Sequence, residues 1–184
     1  MTTLKGHLLV AHPGLLDPNF ARAVLLMFEH NKEGAAGVIL NRPTVATVSD
    51  ISEQVFSERF EWDKPLNLGG PVLGPLMVIH DAPSLADQEV FDGLFTTIDA
   101  AKVQVLIRRR AEPSLIVANY AGWGPAQLDA EIKEGSWLLT PATAELVFGM
   151  DEDEGWESIV RSIEEQQIPK ILGIRDLPDD PSMN

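Results

Sequence analysis

The chain has 184 residues, no cysteine, and a formal net charge of −14 from 28 acidic and 14 basic residues. Its length indicates a single domain, and the lack of cysteine excludes disulfides, thiol catalysis and thiolate metal sites. The negative charge opposes broad contact with nucleic acid, which needs a basic surface. The apolar runs are too short to span a membrane and none is typical of a signal peptide, so we expect a cytoplasmic protein.

The first half of the sequence predicts mainly β-strands. Its apolar runs are short and are separated by Gly, Pro, Asn and Asp, which are typical of turns. The run Val24–Phe28 is apolar throughout, so this strand should be buried on both faces. A five-residue turn at 30–34 leads into the next strand and indicates a hairpin. The predicted strands are 5–11, 22–29, 35–41, 76–80 and 93–98.

Helix signals begin near residue 47 and dominate the second half. Thr47 and Asp50 have the spacing of a capping box and predict a helix over 48–56. Asp99 can cap a helix over 100–110. Strands and helices in this arrangement indicate an α+β fold with a mixed, mostly antiparallel sheet. Further helices are predicted over 125–134 and 142–148, and further strands over 114–120 and near Trp137.

The C-terminal region predicts an amphipathic helix. Its apolar residues recur at the spacing of one helix face: Trp156, Ile159, Val160 and Ile163. Pro169 should end this helix. Acidic residues are concentrated over 145–184, where they form a solvated face or, alternatively, a docking surface for a basic partner. We expect one domain over 1–175 and a flexible tail over 176–184.

The segment Gly122–Trp137 is the most distinctive in the chain. Gly124 can cap a helix, Pro125 suits its first position, and Gly135 suits its exit. A tryptophan stands just outside each end. We expect the tryptophans of the chain to pack in the core, with Trp123 the best candidate for a position at the rim. The segment contains no nucleophile–base pair, metal cluster or phosphate loop, so it predicts a shape rather than a reaction.

The sequence does not predict a metal or cofactor site. A metal site would need His12, His30 and His80 to converge from separate strand ends, and no HExxH pattern supports that. Phosphate-binding and dinucleotide-binding glycine patterns are also missing. Gly69-Gly70 is followed by proline rather than by a helix, so it predicts a tight turn or bulge.

One basic cluster, Arg108-Arg109-Arg110, stands out in the acidic chain. In the last turn of the predicted helix it would interact favourably with the helix dipole. The alternative is a phosphate or nucleic-acid site, which would make the protein a DNA-binding transcriptional regulator. Anion sites more often use the start of a helix, so we favour the structural interpretation.

Polar residues also cluster beside turn residues at predicted strand ends. If they converge, they form one cleft for a small ligand or a protein partner. Alternatively, Asn41 and Asn67 satisfy turn backbone, and Arg42 caps a helix end or pairs with an acid. The candidate binding residues are His12, Asn41, Arg42, Asn67, Gly69, Gly70, Trp123 and Gln127.

Four segments together carry a resemblance to a known family. In order and spacing they resemble the AlgH/YqgE family of bacterial proteins, over about residues 4–170. The resemblance implies a bifurcated sheet curled into a pseudo-barrel with flanking helices, no established enzymatic activity, and a name that suggests transcriptional regulation of alginate synthesis. The segments are Gly6–Phe20, Glu29–Pro43, Leu68–Val72 and Tyr120–Trp137.

The chain departs from the family pattern at two positions. Asn119 and Ala126 stand where glycine is common, and we expect both to stiffen the backbone. Our main hypothesis is a non-catalytic protein that binds a partner or small ligand in a regulatory role. The alternative is a hydrolase of a small anionic substrate with His12 or His30 as the base, and the weaker alternative is the DNA-binding regulator.

Overall fold

The computed structural model describes residues 3–171, with side chains described for residues 3–166. Within that range the chain forms eleven β-strands and five α-helices. The strands are β1 (His7–Ala11), β2 (Val24–Asn31), β3 (Gly34–Ile39), β4 (Pro43–Thr47), β5 (Pro65–Leu68), β6 (Met77–His80), β7 (Gln88–Phe91), β8 (Leu94–Thr97), β9 (Ser114–Ala118), β10 (Ala121–Trp123) and β11 (Trp137–Pro141). The helices are α1 (Val48–Phe56), α2 (Ala100–Arg108), α3 (Gln127–Lys133), α4 (Ala144–Phe148) and α5 (Gly155–Ile171).

The first sheet is antiparallel and has the strand order β10-β3-β2-β1-β11. Its central strand β2 is buried on both faces from Val24 to Met27, which confirms the prediction from its apolar run. The predicted hairpin of β2 and β3 is also confirmed. Asn31 pairs with Gly34, so the turn between them has two residues rather than the predicted five.

The second sheet has the strand order β4-β5-β9-β6-β8-β7. Only the β5–β9 pair in this described sheet is parallel, which confirms a mixed, mostly antiparallel arrangement. Both described sheets end in edge strands, β10 and β11 in one and β4 and β7 in the other. Neither sheet therefore closes on itself within residues 3–171, and the expected pseudo-barrel is not confirmed.

Two glycines stand where the sheets meet. The N–H of Ile39 donates to the carbonyl of Gly69 at 2.9 Å, and the N–H of Gly69 donates to the carbonyl of Ala118 at 2.8 Å. A Cβ on Gly69 would lie 2.4 Å from the carbonyl oxygen of Asn119. Gly70 has a φ of 155°, and a Cβ there would lie 2.3 Å from the backbone of Tyr120. The Gly69-Gly70 pair is thus a close backbone contact that joins the two sheets.

Helices cover the outer faces of the sheets and fill the space beside them. One apolar cluster lies between the sheets and includes the inner face of α5, as its predicted amphipathic pattern requires. A second cluster lies on the other face of the first sheet beneath α3. A third lies between the second sheet and helices α1 and α2. Burial of these clusters is the main source of stability.

The helix starts at α1 and α2 agree with their capping signals. The carboxylate of Asp50 accepts the N–H of Thr47 at 2.8 Å, and this backbone hydrogen bond lowers the pKa of Asp50. The carboxylate of Asp99 accepts the N–H of Lys102 at 3.0 Å. Helix α2 ends at Arg108, so the prediction of a helix to residue 110 was two residues too long.

Two predicted helix ends were wrong. Helix α3 begins at Gln127, because Ala126 before it takes a left-handed conformation, and Gly124 and Pro125 therefore precede the helix. Gly135, with a φ of 83°, follows α3 as predicted. Helix α5 continues past Pro169 to Ile171, since a proline in the last turn removes one backbone donor without unfolding the turns before it. The predicted tail over 176–184 lies outside the described residues.

Candidate functional site

The two predicted asparagines hydrogen-bond to the backbone. Asn41 is buried, its Oδ1 accepts the N–H of Val24 at 2.9 Å, and its Nδ2 donates to the carbonyl of Arg22 at 2.9 Å. Asn67 is also buried and donates from Nδ2 to the carbonyl of Leu40 at 3.0 Å. Both amides satisfy backbone groups beside a change of sheet, which agrees with their structural interpretation.

Arg42 fastens a neighbouring loop. Its guanidinium donates to the carbonyl oxygens of Asn19 and Ala21, the latter at 3.2 Å. Partial burial lowers the pKa of Arg42, and nearby Asp17 opposes that effect. The partly buried side chain therefore holds the 17–22 loop against the start of β4.

The predicted binding residues do not share one pocket. Asn41 and Asn67 line a depression of about 230 Å³. His12 lines another, of about 270 Å³, beside Glu134. Trp123 lines a third, of about 400 Å³. The single cleft expected from the sequence is therefore divided among separate surfaces.

The carboxylate of Glu131 organises the distinctive 122–137 segment. Its Oε2 accepts the indole N–H of Trp123 and the indole N–H of Trp137, each at 2.9 Å. Its Oε1 accepts the amide N–H of Gln127 at 2.9 Å. Phe20 stacks on Trp123 and meets the edge of Trp137. We call these five residues the indole clasp.

The indole clasp corrects one expectation and adds one residue that was not predicted. Trp123 is 6% exposed and packs in the core, so its predicted position at the rim was wrong. Glu131 was not among the residues predicted from the sequence. The available signal was its position one helical turn after Gln127, between two tryptophans whose N–H groups need acceptors.

The two histidines of the hydrolase hypothesis have different surroundings. His30 is buried, accepts the N–H of Leu4 at Nδ1 at 3.1 Å, and places Nε2 3.8 Å from the carboxylate of Asp129. His12 is exposed and accepts the N–H of Gly14 at Nδ1 at 3.0 Å. In each ring one nitrogen already accepts a backbone hydrogen bond. His12 shares its depression with Glu134 and Ser136.

Two members of the basic cluster have partners within the protein. Arg108 donates to the carboxylate of Glu58 at 2.6 Å, and Arg110 donates to the carbonyl of Glu61. They tie the end of α2 to the 57–62 loop. Among the described residues, no group of three or more His, Cys, Asp or Glu side chains is arranged to hold a metal ion.

A groove crosses the first sheet where it meets the second. It consists of two adjoining depressions of about 400 and 240 Å³ that share Glu29, Ala36 and Tyr120. We call it the junction groove. The larger lobe contains two glutamates and an asparagine, and the smaller lobe is mainly apolar. Besides the shared residues, the larger lobe is lined by Asn31, Glu33, Gly34, Ala35, Val72, Gly122, Trp123 and Gly124, and the smaller lobe by Phe28, Pro75, Met77, Ile98 and Asn119.

Small residues make the floor of the larger lobe. Gly122 of β10 pairs with Ala36 of β3, and Ala36 pairs with Glu29 of β2. This row across three strands ends in a carboxylate. A Cβ on Gly122 would lie 3.3 Å from the ring of Tyr120, so that ring forms a wall beside the row.

The turn beside the groove positions the carboxylate of Glu29 and the backbone of Glu33. Asn31 donates from Nδ2 to Oε1 of Glu29 at 2.9 Å, and its Oδ1 accepts the N–H of Glu33 at 2.7 Å. The lining residues of both lobes include Glu29 and Glu33 and no lysine or arginine, among the side chains that the structure describes. The groove therefore has a negative potential.

The backbone at the groove is open on one side. Tyr120 exchanges two hydrogen bonds with Val72, at 2.9 and 3.0 Å, on the side of the chain away from β3. Because backbone groups alternate along a strand, the N–H and C=O of Gly122 point to that same side. Gly122 is an exposed residue, and the described pairing of Tyr120 with Val72 is a single bridge that does not include Gly122.

Comparison with known proteins assigns the chain to a family. Residues 8–167 match a family described as AlgH-like. The chain belongs to the AlgH-like family. A UPF0301 protein from Chlorobaculum tepidum is 41% identical over 163 residues, which cover 85% of each chain.

Solved structures of similar proteins share the fold of this AlgH-like chain. The solution structure of the AlgH protein from Pseudomonas aeruginosa matches with a TM-score of 0.74 and 29% identity, and covers 96% of each chain. A crystal structure of a protein from Corynebacterium diphtheriae matches with a TM-score of 0.70 and 23% identity over 88% of each chain, which supports the fold alone.

The two departures from the AlgH/YqgE pattern are left-handed positions. Asn119 has a φ of 65° and Ala126 a φ of 60°. The expectation that these residues simply stiffen the backbone was incomplete, because this conformation favours glycine and strains alanine.

In this AlgH-like chain, no described helix has the length and apolar character needed to cross a membrane.

Proposed function

We propose that this protein is a non-catalytic binding protein with a regulatory role, and that a segment of a partner polypeptide occupies the junction groove. The observation that carries the proposal is the exposed backbone of Gly122 at an open strand edge beside a groove. Open edges are the places where another chain can add a strand. The cytoplasm remains the expected compartment.

The lining of the groove supports binding over catalysis. Its described polar side chains are two glutamates, two asparagines and one tyrosine, with small and apolar residues between them, while the indole of Trp123 packs on the opposite face of the sheet. The set pairs no nucleophile with a histidine base, the arrangement that hydrolysis at a serine or cysteine requires. A volume of about 400 Å³ in the larger lobe is in the range of binding sites.

Some of the predicted binding residues belong to this proposal. The backbone of Trp123 lines the groove, and Gly70 packs closely against the backbone of Tyr120. The other candidates support the surrounding fold through the contacts described above. Direct nucleic-acid binding by Arg108–Arg110 is disfavoured, because the net charge is −14 and two of the three arginines have internal partners.

A peptide selection tests the proposal. Peptides from a random phage-displayed library are selected on the wild-type protein, and their affinities are measured for the wild type and for Gly122→Val. Valine fills the floor of the larger lobe at a position that a β-branched residue can adopt. We expect binding to Gly122→Val to weaken about tenfold or more.

The control keeps the fold and leaves the groove open. Thermal unfolding and circular dichroism of Gly122→Val establish that it is folded. The control variant Ser158→Val introduces the same side chain at an exposed position of α5, away from the groove. A selection that yields no binder, or binders that ignore Gly122→Val, would overturn the proposed function.

A further inference from the structure

The row Gly122–Ala36–Glu29 has the form of a channel for one long side chain. Gly122 and Ala36 leave its floor low, the ring of Tyr120 stands beside it, and a carboxylate closes its far end. A residue paired with Gly122 on an added strand would project its side chain onto the same face, because directly opposite residues share a face. That side chain would then lie over the row.

The chemistry of the channel selects a cation. Strands lie ~4.8 Å apart, so the distance from an added strand to β2 is about 14 Å. A long side chain is needed to meet Glu29 across that distance. The ring of Tyr120 lies beside this path, 3.3 Å from the Cβ position of Gly122. Arginine combines length, a planar group that stacks on rings, and hydrogen bonding to carboxylates.

The carboxylate of Glu29 is prepared for such a partner. Asn31 donates from Nδ2 to Oε1 of Glu29 at 2.9 Å, and this hydrogen bond orients the carboxylate. Among the described contacts, Oε2 accepts no hydrogen bond. Glu33 lines the same lobe and adds a second negative charge.

From these observations we infer that the junction groove binds an extended segment of a partner protein that presents an arginine, whose backbone bonds to Gly122 and whose guanidinium passes Tyr120 to reach Glu29. This inference rests on the proposed function and names the partner chemistry. The apolar lobe beyond Tyr120 is positioned for a neighbouring apolar side chain of the same segment.

A second copy of this chain is a poorer occupant. A symmetric pairing of β10 with β10 would bring the glutamates of both grooves toward each other. Two chains of net charge −14 would also repel each other. Self-association that is lost in Gly122→Val, measured by sedimentation, would overturn the choice of partner.

The test uses the peptides selected against the junction groove. Each arginine in them is replaced by citrulline, which keeps the shape of the side chain and removes its charge. A second derivative carries an N-methyl group on the backbone amide of that arginine. We expect each change to weaken binding to the wild-type protein by about tenfold or more.

Protein variants assign the effect to one carboxylate. In Glu29→Gln the arginine and citrulline peptides should bind within about twofold of each other, because the charged partner is gone. The matched control is Glu164→Gln, at an exposed position of α5, which makes the same change in net charge. It should keep the full preference for arginine.

The outcomes separate the two proposals. Peptides that need an open Gly122 but contain no basic residue would overturn this inference and leave the proposed function standing. A preference for arginine that persists in Glu29→Gln would also overturn it. Binding that ignores Gly122→Val would instead remove the proposed function itself.

Discussion

At two single residues the backbone conformation differs from what the sequence predicted. Ala126 and Asn119 adopt a left-handed backbone with φ of 60° and 65°. From the sequence both were predicted to be stiffer replacements for glycine, but in the structure both adopt a conformation that glycine adopts at no steric cost. Asparagine tolerates this region better than alanine does, so the strain is concentrated at Ala126.

Ala126→Gly should therefore stabilise the protein. Relief of left-handed strain is worth ~1–2 kcal/mol, and the extra freedom of glycine in the unfolded chain offsets ~0.4–1 kcal/mol of it. We expect a net gain of about 0.5–1 kcal/mol in the free energy of unfolding, measured by urea denaturation.

The matched control for this prediction is Ala130→Gly. Ala130 lies inside α3, where glycine costs about 1 kcal/mol relative to alanine. The same substitution four residues apart should thus have opposite signs. Loss of stability in both variants would show that the left-handed backbone at Ala126 is not strained.

A buried histidine makes stability depend on pH. His80 is fully buried, its Nδ1 accepts the N–H of Ala82 at 3.1 Å, and its Nε2 lies 2.8 Å from the hydroxyl of Thr97. That hydroxyl donates to the carbonyl of Leu85, so Nε2 carries the proton and the ring is neutral. Burial lowers the pKa of His80 below 6.5, and Asp81 and Asp87 only partly oppose it.

Stability should fall as the pH drops below 6.5. The unfolded chain binds a proton at His80 at higher pH than the folded chain does, so acid favours unfolding until the folded-state pKa is reached. We expect the free energy of unfolding to fall between pH 7 and pH 5, and to fall less in His80→Gln. In the exposed control His12→Gln the wild-type pH dependence should persist, and an equal slope in all three proteins would contradict this assignment.

At the scale of elements, the indole clasp joins α3 to strands on both sides of it. Glu131 lies on α3, while Trp123 ends β10 and Trp137 begins β11. The sequence predicted the helix and its flanking tryptophans. It could not predict that one carboxylate serves both indoles, because that depends on how the two strands approach the helix.

Glu131→Ala should destabilise the clasp. It leaves two indole N–H groups without their acceptor, and each such loss costs ~1–3 kcal/mol when the group is buried. We expect a loss of about 2–4 kcal/mol in the free energy of unfolding. Denaturation monitored by tryptophan fluorescence measures this loss. Glu134→Ala, on an exposed residue after α3, should change stability little, and an equal effect of the two substitutions would argue against the clasp.

At the scale of the whole molecule, the sequence predicted element types better than their arrangement. Capping signals located α1 and the start of α2, and apolar runs located the core strands. The pairing of strands was less accessible, because β3 continues into β4 and β9 into β10 across two different sheets. Gly69 joins these sheets through its backbone alone, and a backbone contact leaves little side-chain pattern to detect.

The candidate site was predicted in part for a similar reason. Trp123 was among the predicted binding residues, and its backbone lines the junction groove while its indole lies in the core. Polar residues such as Asn41 and Asn67 attracted attention, although they support the backbone. The groove exists because the small residues Gly122 and Ala36 form its floor. Small residues give no sequence signal for a binding site.

The central claim is that a partner strand bonds to the open backbone of Gly122. The most direct test is to follow the Gly122 amide by ¹H–¹⁵N NMR while a selected arginine-containing peptide is added. We predict a large shift of this resonance and slower hydrogen exchange of its N–H in the complex, together with shifts at Glu29. A saturated complex in which the Gly122 amide keeps its position and its exchange rate would contradict the account.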